Sequence, residues 1–334
     1  MKVCIVGAGA IGGVLASALG THLPAADLTL SALARGATLA ALRAGGFVYT
    51  SAQSPDTPPR RVAVQASDRA SDLGPQDLVI VALKGPGLAP AAPAMAQLCG
   101  PDTQVLVAMN GVPWWYFDHL PGACAGLRLE SVDPGGAIRA RIPTRSVIGC
   151  VVHLSSSSPV PGAVHHVIGD GLIIGEPDGS ASERLAALGR LLTQAGFAVT
   201  LSPCIQRDIW FKLWGNMTMN PVSALTGATC DRVLDDPLVR TFITRVMSEA
   251  QAIGAGFGIE IDQTPEQRHV ITRKLGVFKT SMLQDLEAGR ALEIDALVGA
   301  VREIGQHLQL PTPNIDALLG LVRLLARSRG LYPA

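Results

Sequence analysis

The stretch from Lys2 to Gly13 constrains this chain more than any other part of it. A short apolar run, Val3–Val6, stops at Gly7-Ala8-Gly9-Ala10-Ile11-Gly12 and passes into an Ala/Leu-rich helical pattern. Strand, glycine turn and helix in that order describe a βα unit that receives a dinucleotide. Gly7 allows the tight turn, Gly9 lets backbone approach a pyrophosphate, and Gly12 lets the helix pack closely on the strand. Ala8, Ala10 and Ile11 belong to the same loop. The helix N-terminus then offers unpaired N–H groups and a favourable dipole to the phosphates.

From Val3 to Thr21 no residue is charged and Lys2 precedes the run, a pattern also shared by signal peptides and membrane helices. Five glycines at fingerprint spacing and a single basic residue ahead of them argue for the nucleotide site instead. Lys+Arg and Asp+Glu balance at 27 each, so no electrostatic footprint points to nucleic acid or an anionic membrane. The expected partner is a small molecule. With 48% hydrophobic and 16% charged residues over 334 positions, the chain can fill two cores rather than stay disordered. The six cysteines lack CxxC or Cys/His spacing and read as buried thiols of a reducing cytoplasm. His165 and His166 fall in a strand pattern, where neighbours point to opposite faces, so no metal site is expected.

Apolar runs recur at Val3–Val6, Leu28–Leu33, Leu78–Leu83, Val105–Met109 and Val147–Leu154, alternating with helical patterns such as Ala37–Ala44 and Ala89–Leu98. This alternation predicts an α/β fold: an N-terminal Rossmann-like, doubly wound parallel sheet. AVHHVI and LIIG, separated by Gly169-Asp170-Gly171, read as an antiparallel hairpin ending that sheet. Ser182–Gly196 reads as an amphipathic helix with a Ser cap and a terminal Gly. Beyond Pro203 helical periodicity takes over, over Cys204–Asn220, Pro237–Gly254, Pro265–Phe278, Ser281–Leu308 and Asn314–Arg327. The boundary falls near 197–203, giving a nucleotide-binding domain at 1–200 and a second, all-helical C-terminal domain at 201–334.

Ligands of open α/β sheets collect where strands exit. The second strand exits into Arg35 with no carboxylate, and Asp27 sits at its entry. Arg35 is either a solvated turn residue or the group that accepts the 2′-phosphate of NADP, and the missing acid favours NADP. Lys84 and Asn110 follow the runs LVIVAL and QVLVAM. Each alone reads as a turn, but their shared edge with the glycine loop favours ligand contact.

The segment Asp208–Pro221 carries a polar residue at every fourth position, with Trp210, Phe211 and Trp214 between. Four residues advance a helix about 40° past a full turn, so Asp208, Lys212, Asn216 and Asn220 form a slowly drifting stripe. On an exposed helix these would be a surface ion pair and helix-end residues. The bulky aromatics argue for burial, which makes Lys212 a candidate proton donor and the asparagines holders of a carboxylate or hydroxyl. Farther on, Ser281 with Gln284 matches a capping box, and Glu293 with Arg290 a solvent pair. In one straight helix Ser281 and Glu293 would lie about 18 Å apart. Either Gly289 interrupts the helix, or one residue serves substrate and the other cofactor.

Taken together, GAGAIGG, ARG at the second strand, LK at the fourth, NG at Asn110, GAVHHVIGDGLIIGE, KLWGNMTMNPVSAL and KTSMLQDLEAGRALEIDAL resemble the ketopantoate reductase (2-dehydropantoate 2-reductase) family over nearly the whole chain. The resemblance implies NADPH-dependent reduction of a 2-oxo acid, in the family's case 2-dehydropantoate to D-pantoate for pantothenate and coenzyme A synthesis. It makes Lys212 the proton donor, and Asn110, Asn216, Asn220 and Ser281 substrate contacts. The glycine loop, Arg35, Lys84, Asn110 and Glu293 then serve NADP(H). A cytoplasmic protein, with a homodimer as one possible assembly, fits the same resemblance. The chain departs from the family at Trp114–Phe117, at Cys230 and in an insertion-like ESVDPGGAIRARIP. Trp114–Phe117 either packs as a hydrophobic lid or shapes the pocket for another branched or aromatic 2-oxo acid. A non-catalytic NADP-binding regulator would not need the Lys/Asn/Asn/Ser/Glu set.

Overall fold

The computed structural model describes residues 1–274 and 276–333, which divide into two compact units: Met1–Met109 with Gly136–Ile205, and Asn110–Gly135 with Gln206 onward. Residues 110–135, expected in the N-terminal domain, thus cluster with the helical part. The reason lies in their side chains, described below.

The first unit alternates β1 (Lys2–Val6), α1 (Ala10–His22), β2 (Thr29–Leu33), α2 (Gly36–Gly45), β3 (Phe47–Ser51), β4 (Arg60–Val62), β5 (Gln65–Ser67), β6 (Gln76–Val81), α3 (Gly85–Leu98), β7 (Cys99–Val107), β8 (Val147–Ser157), β9 (Ala163–Gly175), α4 (Glu183–Gln194) and β10 (Ala198–Leu201). The strands form one sheet in the order β4-β3-β9-β8-β7-β6-β1-β2-β5, with β10 also paired to β9. From β8 to β5 every neighbouring pair is parallel, which accounts for the continuous apolar strands. Val3, Ile5, Leu78, Ile80, Leu106 and Ile148 fill its core, and Leu15 and Leu19 of α1 pack on them. Burial pushes the thiols of Cys4 and Cys99 up to about 11, so both stay protonated and inert.

The expected hairpin at Gly169-Asp170-Gly171 is not there. β9 runs unbroken from Ala163 to Gly175 and pairs antiparallel with β8. The glycines mark a register shift opposite His153 and Ser155, where a Cβ at Gly169 would come within 2.6 Å of the His153 carbonyl oxygen. They serve close backbone approach at a bulge rather than a turn. Nor does the sheet end at β9: β3 pairs with it in parallel and β4 continues antiparallel. His166 Nε2 lies 2.6 Å from the Gly169 carbonyl, to which it donates, while Nδ1 is 3.0 Å from the Tyr49 hydroxyl. His165 Nδ1 instead faces Thr50 Oγ1 at 2.9 Å.

The second unit comprises α5 (Ile205–Thr226, from Gln206 on), α6 (Cys230–Asp235), α7 (Pro237–Gly256), α8 (Pro265–Arg273), α9 (Ser281–Glu287), a π-turn at Asp295–Gly299, α10 (Ala300–His307) and α11 (Pro313–Ser328). Tyr116 and Phe117 bury their rings among Trp210 and Phe257, with centroids 4.8 Å apart for Tyr116–Phe117 and for Trp210–Phe257. The Tyr116 hydroxyl donates to the Gln206 carbonyl at 2.8 Å. Edge-to-face pairs contribute about 0.5–1.5 kcal/mol each beyond area burial, which anchors 110–135 in this unit. Tyr116 and Phe117 are core residues, not pocket walls.

Three helical boundaries differ from expectation. α5 continues through the buried Pro221 to Thr226 rather than ending at Asn220. α8 stops at Arg273. The run expected from Ser281 to Leu308 breaks after Glu287 and resumes as the π-turn. Among the described residues no helix is long and apolar enough to cross a membrane, so the uncharged run after Lys2 is the β1–α1 unit.

His269 on α8 is 6% exposed and contacts Thr244 Oγ1 at 3.0 Å through Nε2. Burial, reinforced by Arg240 and Arg273 and opposed by Glu266, lowers its pKa below the usual 6.5. A depressed folded-state value means stability present above the unfolded pKa and lost as pH falls through the folded one. Between about pH 7 and about pH 5 the wild-type Tm is therefore expected to drop more steeply than that of His269→Gln. Parallel curves would remove His269 as a cause of acid sensitivity.

Candidate active site

β6, β1 and β2 end level with one another, Val6 standing in register with both Val81 and Leu33. Their carboxyl ends therefore deliver Lys84, the Gly7–Gly12 loop and Arg35 to one sheet edge, the loop in the middle. Gly7 adopts φ +104°, and a Cβ there would sit 2.6 Å from the Ala82 carbonyl carbon and oxygen. A Cβ at Gly12 would collide with the Gly7 oxygen and lie 2.9 Å from Ile5. At Gly9, by contrast, nothing lies within 4 Å of the added atom. The loop is tight against protein at Gly7 and Gly12 and open at Gly9. α1 has no side-chain cap and no acid in its first turn. These are the features a pyrophosphate requires, so the residues fit a dinucleotide. Arg35 is exposed and occupies the N-cap position of α2. Lys84 holds the same position on α3, with its Nζ shielded from solvent.

In the second unit, Lys212 is half-buried on α5 and its Nζ donates to Asn110 Oδ1 at 2.9 Å. A neutral amide fixes the direction of an ammonium without neutralising it. Asn216, half-buried, and Asn220, buried, follow one and two turns later on the same stripe. The indoles that argue for burial do not surround the ammonium. At about 100° per residue, Trp210 and Trp214 each point about 160° away from Lys212. Trp210 joins the Tyr116–Phe257 cluster, and Trp214 donates to the Met247 carbonyl at 2.8 Å. The rings bury the back of α5 and leave its polar stripe on the other side. Along a third flank the Arg268 guanidinium lies 4.9 Å over the Phe211 ring, and a Cβ at Gly215 would approach it to 2.9 Å.

Asn110 is held by its neighbours. Gly111 has φ +83°, and a Cβ there would stand 2.5 Å from the Ala296 oxygen and 2.7 Å from its Cβ. Only glycine fits that turn. Val112 then donates its N–H to the Ala296 carbonyl at 2.9 Å. Ala296 lies in the π-turn that begins shortly after the half-buried Glu293, and π-turns recur at functional sites.

Ser281 is not the cap of α9. Thr280 takes that role, accepting from the Leu283 N–H at 3.2 Å, while Gln284 donates to the Lys279 carbonyl. Both hydroxyl residues suit a cap, and the buried Thr280 wins, leaving Ser281 exposed in the first turn. With the helix broken before Gly289, the straight-helix spacing of Ser281 and Glu293 no longer applies. The structure thus groups Gly7–Gly12, Arg35 and Lys84 in one unit, and Lys212, Asn110, Asn216 and Asn220 in the other. Sequence reasoning missed the Asn110–Lys212 bond and the seat that Ala296 provides, since neither has a local signal.

A family model described as ketopantoate reductase PanE/ApbA matches residues 3–179, and one described as its C-terminal part matches 204–326. A 2-dehydropantoate 2-reductase from Mesorhizobium japonicum is 45% identical over 332 residues, covering 99% of this chain and 100% of its own. A candidate ketopantoate reductase from Ralstonia solanacearum MolK2 superimposes with a TM-score of 0.93 at 55% identity, covering 99% of both chains. D-mandelate dehydrogenase, solved with NADH and anilino(oxo)acetate, shares the fold at a TM-score of 0.82, with 19% identity and 99% and 100% of the two chains covered.

Proposed function

Because this chain belongs to the ketopantoate reductase family, we propose that it catalyses the NADPH-dependent reduction of 2-dehydropantoate to D-pantoate, a step of pantothenate and coenzyme A synthesis. The observation that carries this reading is the Lys212 ammonium, hydrogen-bonded to Asn110 on a helix that also presents Asn216 and Asn220. The reduced nicotinamide, when bound, supplies the hydride. The Gly7–Gly12 loop, including Ala8, Ala10 and Ile11, holds the diphosphate, Arg35 takes the 2′-phosphate, and Lys84, Asn110 and Glu293 complete the cofactor contacts. Asn110, Asn216, Asn220 and Ser281 orient the 2-oxo acid through hydrogen bonds that leave its carboxylate charged.

As the ketone carbon gains hydride, negative charge grows on its oxygen. Lys212 stabilises that charge and passes a proton from Nζ to the alkoxide, completing the alcohol. Asn110, by fixing the ammonium, removes the need to orient it during the reaction. The cysteines at 4, 99 and 230, whose burial keeps them as thiols near pKa 11, suit the cytoplasm, where we place the enzyme, with a homodimer as its assembly.

The test is an NADPH-oxidation screen across straight, branched and aromatic 2-oxo acids. Ketopantoate should give the highest kcat/KM, consistent with Tyr116 and Phe117 being spent on packing. An aromatic acid turned over faster would reassign the substrate. Absence of turnover with every member would remove the reductase reading altogether.

A further inference from the structure

The π-turn that seats Asn110 is itself fastened from a distant part of the chain. The Tyr332 hydroxyl donates to Asp295 Oδ1 at 2.5 Å, at the first position of that turn. Its ring lies under two guanidinium groups of α11, with Arg323 and Arg327 each 5.6 Å from its centroid. Arg327 also donates to the Pro333 carbonyl at 3.0 Å, and the Leu331 N–H closes on the Ala326 carbonyl at 2.8 Å. The segment after α11 is therefore folded back and tied to its own helix, and its phenol reaches across to Asp295.

A π-turn holds its backbone with wider, poorer bonds than an α-turn, so it gains from an external tether. From Asp295 the path to the lysine is short. Ala296, the next residue, accepts the Val112 N–H and presses on Gly111, and Asn110 accepts from Lys212. The Gly111 turn admits no Cβ against Ala296, so a shift of the π-turn must move the Asn110 turn with it.

We propose that Tyr332 is a positioning residue for catalysis: its bond to Asp295 locks the π-turn against the Asn110–Gly111 turn and so keeps Asn110 aimed at the Lys212 ammonium. The proposal rests on the reading of Lys212 as proton donor. A purely stabilising clasp would change Tm alone. A positioning clasp acts through the Asn110–Lys212 bond, so it lowers kcat, and it raises KM only as far as the contacts of Asn110 with substrate and cofactor loosen.

The experiment compares wild type with Tyr332→Phe, Asp295→Ala, Asp295→Asn and the double variant Tyr332→Phe/Asp295→Ala. Tyr332→Phe keeps the ring beside both arginines and deletes only the hydroxyl. A kcat loss of about 5- to 20-fold is expected for Tyr332→Phe and for Asp295→Ala, the range of ordinary site-to-site coupling. KM for NADPH and for ketopantoate should rise by less than kcat falls, since Asn110 is one contact among several for each. Asp295→Asn, which still accepts the hydroxyl, should restore most of kcat, and the double variant should be no slower than either single one. Amide exchange at Val112, read by NMR on the same proteins, should quicken in Tyr332→Phe and return in Asp295→Asn.

Wild-type kcat in Tyr332→Phe, additive losses in the double variant, or unchanged Val112 exchange would each overturn the proposal. Should Asp295→Ala fail to fold, the phenylalanine and asparagine variants decide the matter by themselves. If wild type reduces no 2-oxo acid, it is the function that fails, and the exchange data still report whether the clasp reaches the Asn110 turn.

Discussion

Lys212→Ala should lower kcat for ketopantoate reduction by about 10²- to 10⁴-fold, the usual contribution of a positioned acid. NADPH affinity should change little, because most of its proposed contacts, the glycine loop, Arg35 and Lys84, belong to the other compact unit. The split matters more than the size of the loss. Lys212 extends from a helix whose far side is fixed by Trp210, Trp214 and the Tyr116–Phe257 rings, so truncation to alanine leaves that core intact. A fall in kcat with unchanged Tm and unchanged NADPH binding assigns the loss to chemistry. Wild-type turnover in the variant would take Lys212 out of the proton transfer. Collapse of NADPH binding along with kcat would instead make it a cofactor contact.

The second large effect concerns cofactor choice. Arg35→Asp is expected to weaken NADPH by about 100-fold and to leave NADH within about twofold, since a charge-assisted bond contributes about 1.5–3 kcal/mol and the new carboxylate repels phosphate as well. Arg35 is exposed at the N-cap of α2, and the residues that follow β2 in the chain, Ala34-Arg35-Gly36, bring no carboxylate to pair with a bare ribose. Its exposure also makes the substitution safe for folding. Equal weakening of both cofactors, measured by fluorescence titration, would place the 2′-phosphate elsewhere.

Local features were legible from the residues, and long-range ones were not. The Gly7–Gly12 loop could be read because turn, approach and helix packing are each settled within a few residues. The Ser182 cap of α4, accepting from the Leu185 N–H, belongs to the same class. The fourfold spacing of Lys212, Asn216 and Asn220 likewise fixed a common face before any contact was known. What binds to that face was another matter. Asn110 lies 102 residues from Lys212 in the chain, and an Asn-Gly pair signals a turn whether or not its amide holds a lysine.

Gly169 and Gly171 misled for the same reason. A glycine pair between apolar runs looks like a turn locally, and only the neighbouring strand, with its shifted register at His153, turns it into a bulge. Residues 110–135 moved to the helical unit because Tyr116 and Phe117 find their partners at Trp210 and Phe257, far along the chain. Thr280 displaced Ser281 as a cap by one position, a choice that burial decides and propensity does not.

This chain is expected to transfer hydride from NADPH, and a proton from Lys212, to the carbonyl of ketopantoate. Purified wild-type protein supplied with both compounds tests it directly, by following nicotinamide absorbance and pantoate formation in one reaction. One pantoate of D configuration per NADPH consumed, with NADH a far poorer donor, is the predicted result. NADPH that binds but is not oxidised, or is oxidised without pantoate appearing, would contradict it.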